Sequence, residues 1–159
     1  MKHSSLFLVW IALACVLCAK TNNYPSDQCT WYAAKRFNAV APEPGVNWGG
    51  NACKWFNNAA DSGWEIHTSP TSAIPGAIIV WADGMGNLGH VAFVTQVSKD
   101  KRQIHIAEKN WQAPGVVTDD KTLVVPDGLR RVAKNGMPYR FLGYIYPKYL
   151  GRMSVAPKP

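Results

Sequence analysis

A thiol, an imidazole and a carboxylate can together break an amide bond. The thiolate attacks the carbonyl, the imidazole moves the proton, and the carboxylate orients the imidazole. This sequence offers one candidate of each kind in a suggestive setting. Cys29 lies near the start of residues 26–37, SDQCTWYAAKRF, where Trp31, Ala34 and Phe37 recur at helical spacing. Ser26 reads as the cap and Asp27 favours the first turn, so Cys29 falls where unpaired N–H groups and the positive end of the helix dipole stabilise a thiolate. His90 opens a run rich in β-branched residues directly after the glycine-rich stretch 82–89, a position at which a sheet fixes a side chain's direction. Glu108 and Asn110 share strand parity with Ile104 and Ile106, and so extend a core-facing row as polar groups. A buried carboxylate needs a partner, which a histidine N–H would supply. His105 faces the other side, His67 precedes the first strand of the sheet, and His3 belongs to the N-terminal stretch. The alternatives are a solvated rim position for Glu108, and a disulfide half or small core residue for Cys29.

The elements that must hold these groups read as two helices followed by strands. The second helix is expected over 51–61 with Cys53, Phe56 and Ala60 on its inner stripe, closed by Gly63. Strands are expected over 77–81, 90–97, 102–110, 123–125 and 141–146, joined by short turns in an antiparallel meander. Helices first and strands afterwards make an α+β domain. Its expected span is 20–150, with 151–159 a flexible tail. Residues 1–19 look like a signal peptide: Lys2 is followed by 13 apolar residues over 6–18 and then by small residues. That run is short for a membrane span, so no stable membrane insertion is expected once it is removed.

The formal charge is +7, and +6 once Lys2 of that leader is set aside. An exported basic chain favours anionic polymers such as acidic lipid or the bacterial wall. No nucleic-acid fingerprint is present. Cys15 and Cys18 leave with the leader, so Cys29 and Cys53 remain, and in an oxidising compartment the two could pair.

Taken together, Gln28-Cys29, Gly89-His90-Val91-Ala92-Phe93-Val94 and Glu108-Lys109-Asn110-Trp111 resemble the CHAP family, the cysteine, histidine-dependent amidohydrolases/peptidases. Trp48-Gly49-Gly50-Asn51-Ala52 with Trp55, and Pro75-Gly76-Ala77, fit as well, and the resemblance covers roughly 24–146. It implies a papain-like α+β fold with N-terminal helices packed on an antiparallel sheet. It also implies Cys29 as nucleophile, His90 as base, Glu108 as the orienting residue and Asn110 as a fourth, supporting residue. Peptidoglycan would be the substrate, cut at the N-acetylmuramoyl-L-alanine bond or within the stem peptide or cross-bridge, by a secreted or periplasmic enzyme. An inhibitor or immunity protein is a further partner to consider. A glutathionylspermidine-type amidase is the alternative within the family, and the leader argues against it.

The expected oxyanion donors are the Cys29 backbone N–H and the Gln28 side chain. Trp48 and Trp111, on loops, are the expected substrate-groove aromatics, whereas Trp55 and Trp81 are expected in the core. No cofactor or metal is expected. The segment before Cys29 carries one acid, too few for a calcium loop, and Cys29, Cys53 and His90 match no usual zinc spacing. A different class stays open: a non-catalytic wall-binding module closed by a Cys29–Cys53 disulfide.

Overall fold

The computed structural model describes residues 20–151, so the expected leader and all but the first residue of the expected tail lie outside the described residues. Helix α1 runs Cys29–Asn38, and after a 3₁₀ turn at Ala52–Lys54 helix α2 runs Trp55–Asp61. The strands are β1 Trp64–His67, β2 Ile78–Asp83, β3 His90–Val97, β4 Gln103–Lys109, β5 Val117–Val124, β6 Arg131–Val132 and β7 Pro138–Tyr149. They form one antiparallel sheet in the order β1-β7-β2-β3-β4-β5, with β6 paired to β7. The run β2 to β5 is the expected meander. Strands β1 and β6 were not anticipated, β5 starts six residues earlier than expected, and β7 is longer at both ends.

Strand β2 explains why its sequence is apolar from Ile78 to Ala82. It is buried along its whole length because both faces of the sheet are covered. Ile78 and Val80 join Val91, Phe93 and Ile145 beneath the helices. Ile79 and Trp81 join Ala92, Val94, Ile104 and Ile106 on the other face, closed by Ala73, Val125 and Leu129. Helix α1 packs on β3 and β4 through Ala33, Ala34 and Phe37, while α2 packs on β1 and β7.

Several local expectations shift. Helix α1 begins at Cys29, with Gln28 in extended geometry as its N-cap, so Ser26 does not cap it and Asp27 is not in its first turn. Tertiary ties explain this: the Ser26 carbonyl accepts from Lys109 Nζ at 2.9 Å and the Asp27 carbonyl accepts from Asn110 Nδ2. Trp31 lies half-buried beside the ammonium groups of Lys35 and Lys109. The inner stripe ahead of and along α2 is Ala52, Trp55, Phe56 and Ala59, while Cys53 and Ala60 are only half-buried. A 3₁₀ turn advances about 120° per residue instead of about 100°, which changes the phase on entry to α2. Trp48, expected in a groove, is instead 7% exposed and packs edge-on against Phe37, Trp55 and Trp64 at 5.6–5.9 Å.

One glycine is fixed by its surroundings. Gly89 has φ +73°, and a Cβ there would stand 2.4 Å from the Trp81 carbonyl oxygen and 2.6 Å from the Cys53 nitrogen. It lets the 3₁₀ turn pass close to the start of β3, where Cys53 N–H donates to the Leu88 carbonyl at 2.9 Å. Gly89→Ala is expected to lower stability by at least about 2 kcal/mol, from left-handed strain plus a backbone clash. Gly86→Ala, at φ +70° but in open space, is expected to cost only about 1 kcal/mol. Urea midpoints of the two variants check this; equal losses would contradict it.

Candidate active site

Three elements converge on one cleft. The first turn of α1 delivers Cys29, the first residue of β3 delivers His90, and the end of β4 delivers Glu108. Core-facing parity accounts for Glu108, which follows Ile104 and Ile106 along the same face and is 1% exposed. Its Oε2 accepts from His90 Nε2 at 2.9 Å. That contact leaves the other ring nitrogen of His90 for Cys29, and the thiol and the imidazole lie close enough to shift each other's titration. The order sulfur, imidazole, carboxylate is therefore continuous. Trp81 lies opposite His90 in the β2–β3 register, and Trp111 meets the imidazole edge-on at 5.1 Å.

The electrostatics follow from these contacts. Burial alone would push the Cys29 thiol up, but the charge and hydrogen bond of His90, with the Val91 and Thr30 N–H groups, hold it below its ordinary value of 9.0. Burial likewise opposes charge on His90, yet Cys29 and Glu108 hold the imidazole above 6.5. Burial works against the Glu108 carboxylate too, but Arg131 and His90 hold it down at about 2. These contacts shift the pair toward thiolate and imidazolium, backed by a carboxylate.

Arg131 was not singled out in the sequence. From β6 its Nη1 and Nη2 donate to Glu108 Oε2 and Oε1 at 2.5 and 2.8 Å, and it is 6% exposed. Asn110, expected as a fourth, supporting residue, stands in the cleft wall, and its side chain bonds to the backbone on either side of the cleft rather than to His90. It sits just past the end of β4 at φ +65°, so it has left the strand's alternation. Its amide donates to the Asp27 carbonyl and its Oδ1 accepts from Gly115 N–H at 2.6 Å. Asn110 thus ties the loop ahead of the nucleophile helix to the sheet.

The cleft has a volume of about 450 Å³, and Gln28, Trp111 and Tyr139 stand in its walls with Cys29 and His90. Gln28 is exposed, beside Cys29. Trp111 is half-buried, and its ring meets Tyr139 at 5.1 Å. Both Cys29 and Cys53 are free thiols, and Cys53 Sγ donates to the Gly86 carbonyl at 3.3 Å. Among the described residues, no group of three or more His, Cys, Asp or Glu is placed to hold a metal ion, and no helix is long and apolar enough to cross a membrane.

His105 turns away from all of this and pairs with Asp120 on β5 at 2.6 Å. His105→Ala is therefore expected to keep turnover within about twofold and to change stability by less than about 1 kcal/mol. Steady-state rates and a thermal melt check this, and a large loss of turnover would show that the wrong histidine had been placed in the site.

Known proteins resemble this chain in sequence and in fold. A putative hydrolase of Streptococcus mutans is 33% identical over 126 residues, which is 79% of this chain and 51% of that protein. The secretory antigen SsaA of Staphylococcus epidermidis is 38% identical over 109 residues, 68% of this chain and 38% of its own length. The chain thus spans about half or less of these relatives. The crystal structure of Ly7917 superposes with a TM-score of 0.54 at 17% identity, covering 81% of this chain and 58% of that one, and so shares the fold. The CHAP domain family model matches residues 19–110, a stretch that contains Cys29, His90, Glu108 and Asn110. With more than half of its length matched in this way, and with a relative of 33% identity across most of it, the chain belongs to the CHAP domain family.

Proposed function

We propose that this protein is a cysteine-dependent hydrolase of peptidoglycan that cuts an amide bond of the wall. The observation that carries the proposal is the unbroken contact from Cys29 sulfur through His90 to the buried Glu108 carboxylate, at the start of a helix and open to a cleft. The Cys29 thiolate adds to the carbonyl carbon. The oxyanion is held by the Cys29 backbone N–H and the Gln28 side chain. His90 gives its proton to the leaving amine, and a thioester remains. His90 then takes a proton from water, the hydroxide adds to the thioester, and the acid product leaves with the thiol restored. Glu108 keeps the imidazole oriented and stabilises its charged form. Trp111 serves as a wall of the substrate groove; Trp48, being in the core, does not.

A wall substrate is supported by the relatives. Ly7917 has also been solved with the hydrolyzing product of MDP, at a TM-score of 0.51 to this chain, and the staphylococcal relatives are secretory antigens. The leader at 1–19 fits the same setting, and we propose that it is removed on export. The bond is either the N-acetylmuramoyl-L-alanine amide or one within the stem peptide or cross-bridge. Cys29 beside His90, with Cys53 free and turned to the Gly86 carbonyl, favours this reading over a binding module closed by a disulfide. The test is to digest purified peptidoglycan with the mature chain and identify the products by mass. Fragments with a new amine and a new carboxylate are expected, and the masses assign the bond. An undigested wall, with Cys29 confirmed as a free thiol, would refute the proposal.

A further inference from the structure

We propose that Arg131 is a positioning residue for hydrolysis: its guanidinium clamps the Glu108 carboxylate in the orientation that His90 requires and balances the charge of the buried site. The inference rests on the reading of Cys29, His90 and Glu108 as the working set, and it adds a fourth group from outside the stretch that the family model matches.

The geometry is that of a fork. Both terminal nitrogens of Arg131 engage Glu108, one on each oxygen, and Oε2 also receives His90 Nε2 at 2.9 Å. A single hydrogen bond would leave the carboxylate free to rotate about its last torsion, whereas two parallel ones fix its plane. Arg131 is itself held before it meets Glu108. Its guanidinium lies 3.5 Å from the Trp111 ring centre and 5.2 Å from that of Trp81. Trp81 is pinned in turn by its Nε1, which donates to the Leu129 carbonyl at 2.7 Å. The Arg131 backbone is paired with Tyr139 across β6 and β7. The clamp is thus built on a strand and an indole shelf. One side chain links the orienting carboxylate to the tryptophan that walls the cleft.

Charge gives a second reason. The groups facing the Cys29–His90 pair are Glu108 from β4, Arg131 from β6 and the Tyr139 phenol from β7. With thiolate and imidazolium formed, Cys29 and Glu108 supply two negative charges and His90 and Arg131 two positive ones. Without Arg131 the buried set keeps an uncompensated negative charge, which is unfavourable at low dielectric. Its loss would make both His90 and Cys29 hold their protons more tightly. Loss of the Glu108 charge would act in the opposite direction.

Opposite directions make the test decisive. Arg131→Met is expected to lower kcat by roughly 10- to 100-fold, with both limbs of the pH–rate profile moved to higher pH by about half a unit or more. Glu108→Gln should move them to lower pH. Arg131→Lys keeps the charge but not the fork, so its limbs should stay near wild type while kcat falls several-fold. The rate of Cys29 alkylation by iodoacetamide against pH, read by peptide mass in a Cys53→Ala background, reports the same shifts without any substrate. If Arg131→Met does not fold, Arg131→Lys carries the test.

A folded Arg131→Met with unchanged kcat and unmoved profiles would overturn the proposal, as would one that raises only KM. Full turnover in Arg131→Lys would remove the role of the fork. Fragment release by Cys29→Ala would instead refute the thiol reading, and the alkylation shifts would still report on Arg131.

Discussion

Cys29→Ala and His90→Ala are each expected to lower the release of soluble fragments from peptidoglycan by at least about 10⁴-fold, because each removes part of one working unit. The double variant should fall little further. If the two side chains acted independently, their losses would multiply; in a nucleophile–base pair the second deletion finds nothing left to remove. Circular dichroism should stay at wild type for Cys29→Ala, since the helix buries Ala33, Ala34 and Phe37, not the sulfur, as its main anchor. Wild-type turnover should follow a bell. It rises as the pair loses its first proton, below the ordinary thiol range, and falls as the imidazolium is lost above the ordinary histidine range. Cys53→Ala should keep its turnover. Full activity in folded Cys29→Ala, or a profile that rises only above the ordinary thiol range, would sink the assignment.

The second large effect belongs to Glu108. Glu108→Ala is expected to destabilise the fold by about 3–5 kcal/mol, because it leaves the Arg131 guanidinium buried and unpaired. Glu108→Gln keeps the shape and one acceptor, so it should cost less in stability while still reducing turnover. The pH dependence separates the charge from the shape. The carboxyl is held at about 2 when folded, against an ordinary value of 4.5. Its contribution is fully present above the ordinary value and disappears as pH falls from there toward 2. The shift corresponds to about 3 kcal/mol at neutral pH. Urea midpoints at pH 7, 4 and 2.5 should therefore show wild type well above Glu108→Gln at pH 7 and the gap closing in acid. A gap that stayed constant with pH would mean that the carboxylate charge does not stabilise the fold.

The parts of the site that could be read from the sequence were those governed by a local rule. Cys29 follows from helix periodicity, His90 from a glycine-rich turn running into a β-branched strand, and Glu108 from parity with Ile104 and Ile106. The same parity correctly turned His105 outward. What escaped depended on contacts distant in sequence. Arg130 and Arg131 are adjacent and chemically identical, yet one is exposed and the other buried, because a two-residue strand pairs with β7 and aims only the second at Glu108. Trp48 and Trp111 both sit on loops. Whether such a ring fills the gap between α1, α2 and β1 or lines a cleft is decided by packing. Asn110 obeyed parity on paper, but its left-handed backbone took it off the strand. The meander was legible because its strands are neighbours in sequence; β1 and β6, whose partner is the last strand, were not.

The two carbonyl ties ahead of α1 also bear on when the thiol becomes dangerous. Ser26 and Asp27 are held by Lys109 and Asn110, side chains 83 positions further on. An incomplete or unfolded chain therefore has no means of seating Cys29 against His90, and its sulfur is an ordinary, largely protonated thiol. On the proposed mechanism, nucleophilicity waits on the closure of long-range contacts, a class that forms slowly in folding. On that mechanism, folding acts as a latch on the chemistry: the chain becomes reactive once the sheet is complete enough to grip its own N-terminal segment.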